Sequence, residues 1–281
     1  MPKINTVDPD LKNYYEHTEL SIQLSLDGFS FCIVSEPDKK LRAIRSYTFK
    51  DVVLQEDLIS EAAKILERDE LLRLPHNRAK IIVYNRKSTL VPVEFCKEEY
   101  LKRILQFNHP IDDLDEIHSR SVQDCNSYMV FVVPTYIASL FSDKFKNCKF
   151  YNQAVPFLNQ VLKKHENETA IYLQLNHDFF DVAVVVEGEL KLYNSFLYVS
   201  DTDLIYYILY VCKQVQLNPA FIRLFYMGEK SAEKKIVKAI THYLPNAKAA
   251  FPNCERLETM PIRLSEPYCY SSLINMAICE L

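Results

Sequence analysis

The chain has 281 residues, 48% of them hydrophobic and 25% charged, with a formal net charge of −4. That composition builds a sizeable core and excludes disorder, and the slightly negative charge leaves no electrostatic footprint for a nucleic-acid backbone or an anionic membrane. The length exceeds one ordinary core, so two domains are expected.

In chain order, residues 1–17 read as an N-terminal extension without an apolar leader, since Met1-Pro2-Lys3-Ile4-Asn5 has none. Ser21 to Phe49 then reads as three successive strands, closed by the Asp27-Gly28 turn signal between the first two. A helix opened by Asp51 follows, with Leu54, Leu58, Ile59, Ala62, Ile65 and Leu66 on one face. Strands over 80–84 and 89–95, a helix over 97–108, strands near 116–121 and 127–133, a helix over 134–144 and a strand over 149–154 complete the first half. A helix beginning at Pro156 and the polar run Lys163-Lys164-His165-Glu166-Asn167-Glu168 mark the boundary.

The second half repeats the first. Ile171 to Tyr198 again reads as three strands, and an offset of 149 pairs Leu24 with Leu173, Leu41 with Leu190, Ser46 with Ser195, Tyr47 with Phe196 and Phe49 with Tyr198. A helix from Asp201 comes next, and its continuous apolar and tyrosine run over 204–212 implies cover on most sides. Strand 221–226, helix 231–243, a short strand near 248–251, a proline-punctuated loop over 252–267 and a last helix over 268–279 finish the chain. The expected division is therefore 18–155 for the first lobe, 156–167 for a linking helix, 168–267 for the second lobe, and 268–281 for a C-terminal helix returning to the first. Eight cysteines, at 32, 96, 125, 148, 212, 254, 269 and 279, form no C-x-x-C pair, so no metal site is expected. Cys32 and Cys212 lie inside apolar runs as buried thiols, and no aliphatic run is long enough to span a bilayer, which points to the cytoplasm.

Two copies of three strands, helix, strand, helix, strand, helix resemble the actin-like (ribonuclease H-like) superfamily. The whole chain is similar to uncharacterised bacterial proteins with that fold, and distantly to the degenerate actin-like proteins of the PilM and GspL type. The resemblance implies α/β architecture, with two lobes that each carry a mixed five-stranded sheet flanked by helices. It also implies a nucleotide site in the interlobe cleft, where acidic and glycine-bearing turns approach phosphate.

The residues matching that site are Asp27 and Gly28 in the first turn, Asn176 and Asp178 in the second, and Gly228 at the adenosine position. Each has a plain structural explanation as well: a D-G hairpin turn, a solvated turn carboxylate, and a strand end before a helix capped by Ser231. His177 reads as a surface histidine. The second turn carries Phe179 and Phe180 where glycines belong, and Gly28, Gly188 and Gly228 are the only glycines in the chain. The expectation is a non-enzymatic scaffold without a cofactor, holding a protein partner, with Tyr206 and Tyr210 as a possible interface. ATP with magnesium belongs only to the alternative, a nucleotide-binding or weakly hydrolysing protein. A lapsed cleft is also expected to be filled by Phe29, Phe179 and Phe180, fastening the lobes. A nuclease is disfavoured because no converging carboxylate set is recognisable.

Overall fold

The computed structural model describes residues 4–14, 17–49, 55–163, 169–250 and 264–278. Asp51, the 164–168 spacer, most of the 252–267 loop, Cys254 and Cys279 lie outside them. In chain order the first half contains β1 (Ile4–Val7), β2 (Thr18–Ser25), β3 (Gly28–Ser35), β4 (Leu41–Thr48), α1 (Gln55–Arg68), β5 (Arg78–Val83), β6 (Ser88–Pro92), α2 (Glu98–Asn108), β7 (Asp115–Val122), β8 (Ser127–Pro134), α3 (Thr135–Lys144), β9 (Cys148–Asn152) and α4 (Ala154–Leu162). The second contains β10 (Ala170–Leu175), β11 (Phe179–Val186), β12 (Glu189–Leu197), α5 (Asp201–Gln214), β13 (Arg223–Met227), α6 (Lys234–Tyr243), β14 (Ala247–Ala249) and α7 (Ser271–Ile278).

Two mixed sheets result, ordered β1-β4-β3-β2-β5-β9 and β12-β11-β10-β13-β14. Each has three antiparallel strands followed by parallel ones, as the α/β two-lobed expectation requires. The first gains a sixth strand because Ile4–Val7, within the expected extension, pairs antiparallel with β4. Arg42 anchors that segment through an ion pair with Asp8 at 2.6 Å, and its guanidinium lies over the Tyr14 ring. A separate antiparallel sheet, β6-β8-β7, is inserted between β5 and β9, with Leu101 and Leu105 of α2 packed on Val91, Val130 and Val132.

Strand alternation decides what each sheet face buries. Leu20, Ile22, Leu24, Phe29, Phe31 and Ile33 share one face of the first sheet and pack with Leu58 and Ala62 of α1 and Phe141 of α3. Cys32, Val34, Leu41 and Ile44 meet Leu273, Ile274 and Ala277 of α7 on the other. In the second sheet Ile171, Leu173, Leu175, Phe180, Val182 and Val184 pack on α5 and α6. Ala170, Tyr172, Ala183 and Val185 face the opposite way and join α4 and Met276. Helices α4 and α7 therefore form the layer between the sheets. It is tied by polar contacts: Ser272 Oγ donates to Gln174 Oε1 (2.8 Å), and Ser271 Oγ to Gln160 Oε1 (2.9 Å).

The two strand triplets correspond closely, with one correction to the sequence pairing. Each has a bulge at the same step, between Ile33 and Val34 and between Val184 and Val185. The third strands do match at an offset of 149: Thr48 faces Gly28 as Leu197 faces Phe179. The first strands do not, because the hairpins place Gly28 opposite Ser25 and Phe179 after Asn176, an offset of 151. Leu24 thus corresponds to Leu175, not Leu173. From Val34 to its partner Leu41 the chain runs two residues further than from Val185 to its partner Leu190, which absorbs the difference.

A cleft bridged by two hairpin turns

The tips of the matched hairpins are Leu26-Asp27 and His177-Asp178, so the two candidate aspartates occupy equivalent places. Their carbonyls are used alike: Phe49 N–H donates to Asp27 O (2.7 Å) and Tyr198 N–H to Asp178 O (3.0 Å). Their side chains differ. Asp27 reaches across the cleft, and its Oδ1 lies 2.5 Å from His177 Nδ1 of the other turn. Partial burial raises the Asp27 carboxyl above its ordinary value, and His177 and Lys230 pull it back. Asp178 remains exposed, and no ion pair among the described residues holds it. A second tie crosses beside the first, from Gln23 Nε2 to Glu229 Oε1 at 2.9 Å.

Both candidate glycines are explained by backbone crowding. A Cβ on Gly28 would sit 2.2 Å from the Tyr47 carbonyl oxygen. Gly228 has φ +97° and a Cβ there would meet Leu175 O at 2.5 Å. The Gly228 amide donates to Tyr268 O (3.0 Å) and its carbonyl accepts from Ser231 N–H (3.0 Å). Lys230, just beyond, pairs with Glu233 at 2.7 Å, and Glu229, Glu233 and Glu266 line the recess of about 300 Å³ on that side of the bridge.

The phenylalanines are all buried, but only one belongs to the cleft. Phe29 stacks on Phe141 in the first core, and Phe180 packs on Phe196 and Tyr198 in the second. Alternation turns Phe179 the other way, where it lines a recess of about 240 Å³ together with Leu26 and Arg86. The helix expected to be covered on most sides, α5, is instead open along one face. Tyr206 is 62% and Tyr210 44% exposed, their rings stacked 6.3 Å apart. It begins at Asp201, as expected, behind a Ser200–Asp203 capping box.

One site residue escaped the sequence reading. Asp181, on β11, is completely buried and accepts hydrogen bonds from Tyr193 Oη (2.9 Å), Asn176 Nδ2 (3.2 Å), Gln153 Nε2 (3.3 Å) and Ser195 Oγ. Burial raises its pKa despite those four donors. The corresponding pair in the first lobe is neutral, Ser30 Oγ to Ser46 Oγ at 2.9 Å. The signal was a lone carboxylate inside the apolar run of β11, which must find partners to be buried. Asn176 thus orients Asp181 from the floor of the cleft. Among the described residues no three His, Cys, Asp or Glu side chains gather as a metal site, and no helix is long and apolar enough to cross a membrane.

Comparison with known structures agrees with this architecture. A Bacteroides thetaiotaomicron protein with an actin-like ATPase fold and unknown function superposes with a TM-score of 0.81 at 22% identity, covering 96% of this chain and 99% of the other. PilM, in the PilM–PilN type IV pilus biogenesis complex, gives 0.64 at 12% identity, over 93% of this chain and 97% of that one. The ethanolamine utilization protein EutJ of Carboxydothermus hydrogenoformans gives 0.51 at 8% identity, over 93% and 89%. No curated protein matches the chain. The actin-like fold is shared by all three structures, and over residues 8–247 the sequence matches the family described as protein of unknown function (DUF3822), to which the chain belongs.

Proposed function

We propose that this protein is an actin-like interaction body without nucleotide turnover, whose lobes are fastened across the cleft and not hinged around ATP. The observation that carries the reading is the Asp27–His177 contact. It joins the two turns between which a polyphosphate of the actin-like family would sit, and leaves no gap for one. Phe179 stands where the first hairpin has Gly28, so the second turn cannot bring its backbone amides close to a phosphate. On this reading Asp27, Gly28, Asn176, Asp178 and Gly228 are what remains of a nucleotide site, now serving the hairpins themselves.

PilM is found in a complex with PilN, which supports a binding role for this fold. The stacked Tyr206 and Tyr210 rings offer the amphipathic aromatic surface on which protein partners dock. We read the matched bulges as the trace of an internal duplication, with lobes over 18–155 and 168–267. The free, buried thiols of Cys32 and Cys212 favour the cytoplasm, and the net charge of −4 disfavours nucleic acid.

The test is phosphate release from ATP with magnesium. The parent protein is expected to stay at background, and Asp27→Ala to behave identically. Turnover in the parent that disappears in Asp27→Ala would overturn the proposal.

A further inference from the structure

The recess beside Phe179 carries polar groups that the fold does not use. Asn176 is 4% exposed, and while its Nδ2 donates to Asp181, its Oδ1 has no hydrogen-bond partner. The Oγ of Ser25, at the equivalent place in the first hairpin, is likewise buried and unpartnered. Both residues line this recess, as do Arg86 from the loop after β5 and Asp178 from the second turn. Among the described residues neither Arg86 nor Asp178 forms an ion pair, whereas neighbouring Lys87 is held by Asp112 and Asp115 and neighbouring His177 by Asp27. Buried polar atoms without partners are uncommon and costly, so two residues that carry them in the lining of one recess call for an explanation.

A single ligand chemistry suits the two charged groups. Arg86 presents a planar fork suited to a carboxylate. Asp178 is an acceptor suited to an ammonium, and Leu26 and Phe179 supply an apolar wall. The volume, about 240 Å³, falls below the roughly 300–1,000 Å³ of drug-sized sites, which selects a compact ligand.

We infer that this recess binds a free α-amino acid as its zwitterion, with the carboxylate on Arg86 and the ammonium on Asp178. Inorganic anions lack the ammonium, and nucleotides are too large. The site lies between the lobes, so occupation would add contacts to both. This inference does not depend on the absence of ATP turnover, and either can fail alone.

The experiment is a thermal-shift screen of the full chain with each standard amino acid, followed by calorimetric titration of whichever raises the melting temperature. At least one is expected to bind saturably, and its N-acetyl and carboxamide derivatives to bind at least about tenfold more weakly, each having lost one charge-assisted contact. Arg86→Ala should weaken binding by a similar factor while melting normally without ligand, because that side chain makes no ion pair among the described residues. If no amino acid shifts the melting temperature, or if the blocked derivatives or Arg86→Ala bind as well as the parent pair, the inference is wrong.

Discussion

Replacing Gly228 by alanine separates a structural glycine from a ligand-binding one. The residue has φ +97° and ψ 170°, a region that L side chains occupy at a cost of about 1–3 kcal/mol. The new methyl would also lie 2.5 Å from Leu175 O and 3.0 Å from Leu175 N, both backbone atoms fixed in β10. Relieving such a contact costs about 1–3 kcal/mol more. The combined loss of about 2–6 kcal/mol corresponds to a fall in melting temperature of roughly 5–15 °C for a chain of this size. Circular dichroism melts without any nucleotide give the answer directly. Gly28→Ala provides a comparison, since its Cβ would collide with Tyr47 O at 2.2 Å although its φ is ordinary. A Gly228→Ala protein melting within about 2 °C of the parent would refute the reasoning, because the strain and contact terms together exceed that shift.

Phe180→Ala should cost about 3–5 kcal/mol in urea titrations, since the ring is wholly enclosed by the second core. Phe179→Ala, at the edge of a recess, should cost less, and the reverse order would contradict the placement of the two rings. Asp181 gives a pH prediction whose sign follows from its raised pKa. The protonated form is favoured in the folded state, so its contribution is complete below about pH 3.8 and is lost as pH rises through the higher folded-state value. Asp181→Asn should therefore flatten the decline of the urea midpoint with rising pH, and Asn176 can turn its orphan Oδ1 toward the new amide. Parallel pH profiles for the two proteins would show that Asp181 does not titrate as described.

Much of this fold is written in hydrophobic alternation. The triplets 21–49 and 171–198 stand out because period-two apolar strands recur at a near-constant offset, and the helices between them keep one apolar face. Alternation fails to count residues in turns, which is why Leu24 was matched to Leu173 instead of Leu175. Nor does it reveal which strands share a sheet: β6, β7 and β8 read like their neighbours, yet form a sheet of their own. The short Ile4–Val7 strand carries too little pattern to be recognised alone. At the site, sequence placed Asp27 and Asp178 on equivalent turns through family resemblance. It could not place His177 against Asp27, since that contact joins residues 150 positions apart. The fate of Phe29 and Phe180 was decided by strand parity. Each follows the inward face of its own sheet into its own core, leaving only Phe179 for the cleft.

Calorimetric titration of the full chain with ATP and magnesium tests the central claim most directly. A bridged cleft with Phe179 in the second turn predicts no heat beyond dilution, and no rise in melting temperature at ligand concentrations where a bound nucleotide would add about 2.7 kcal/mol, that is, 100 times a dissociation constant. Saturable binding with matching stabilisation, weakened in Asp27→Ala, would contradict the account and show that the Asp27–His177 bridge opens to admit nucleotide.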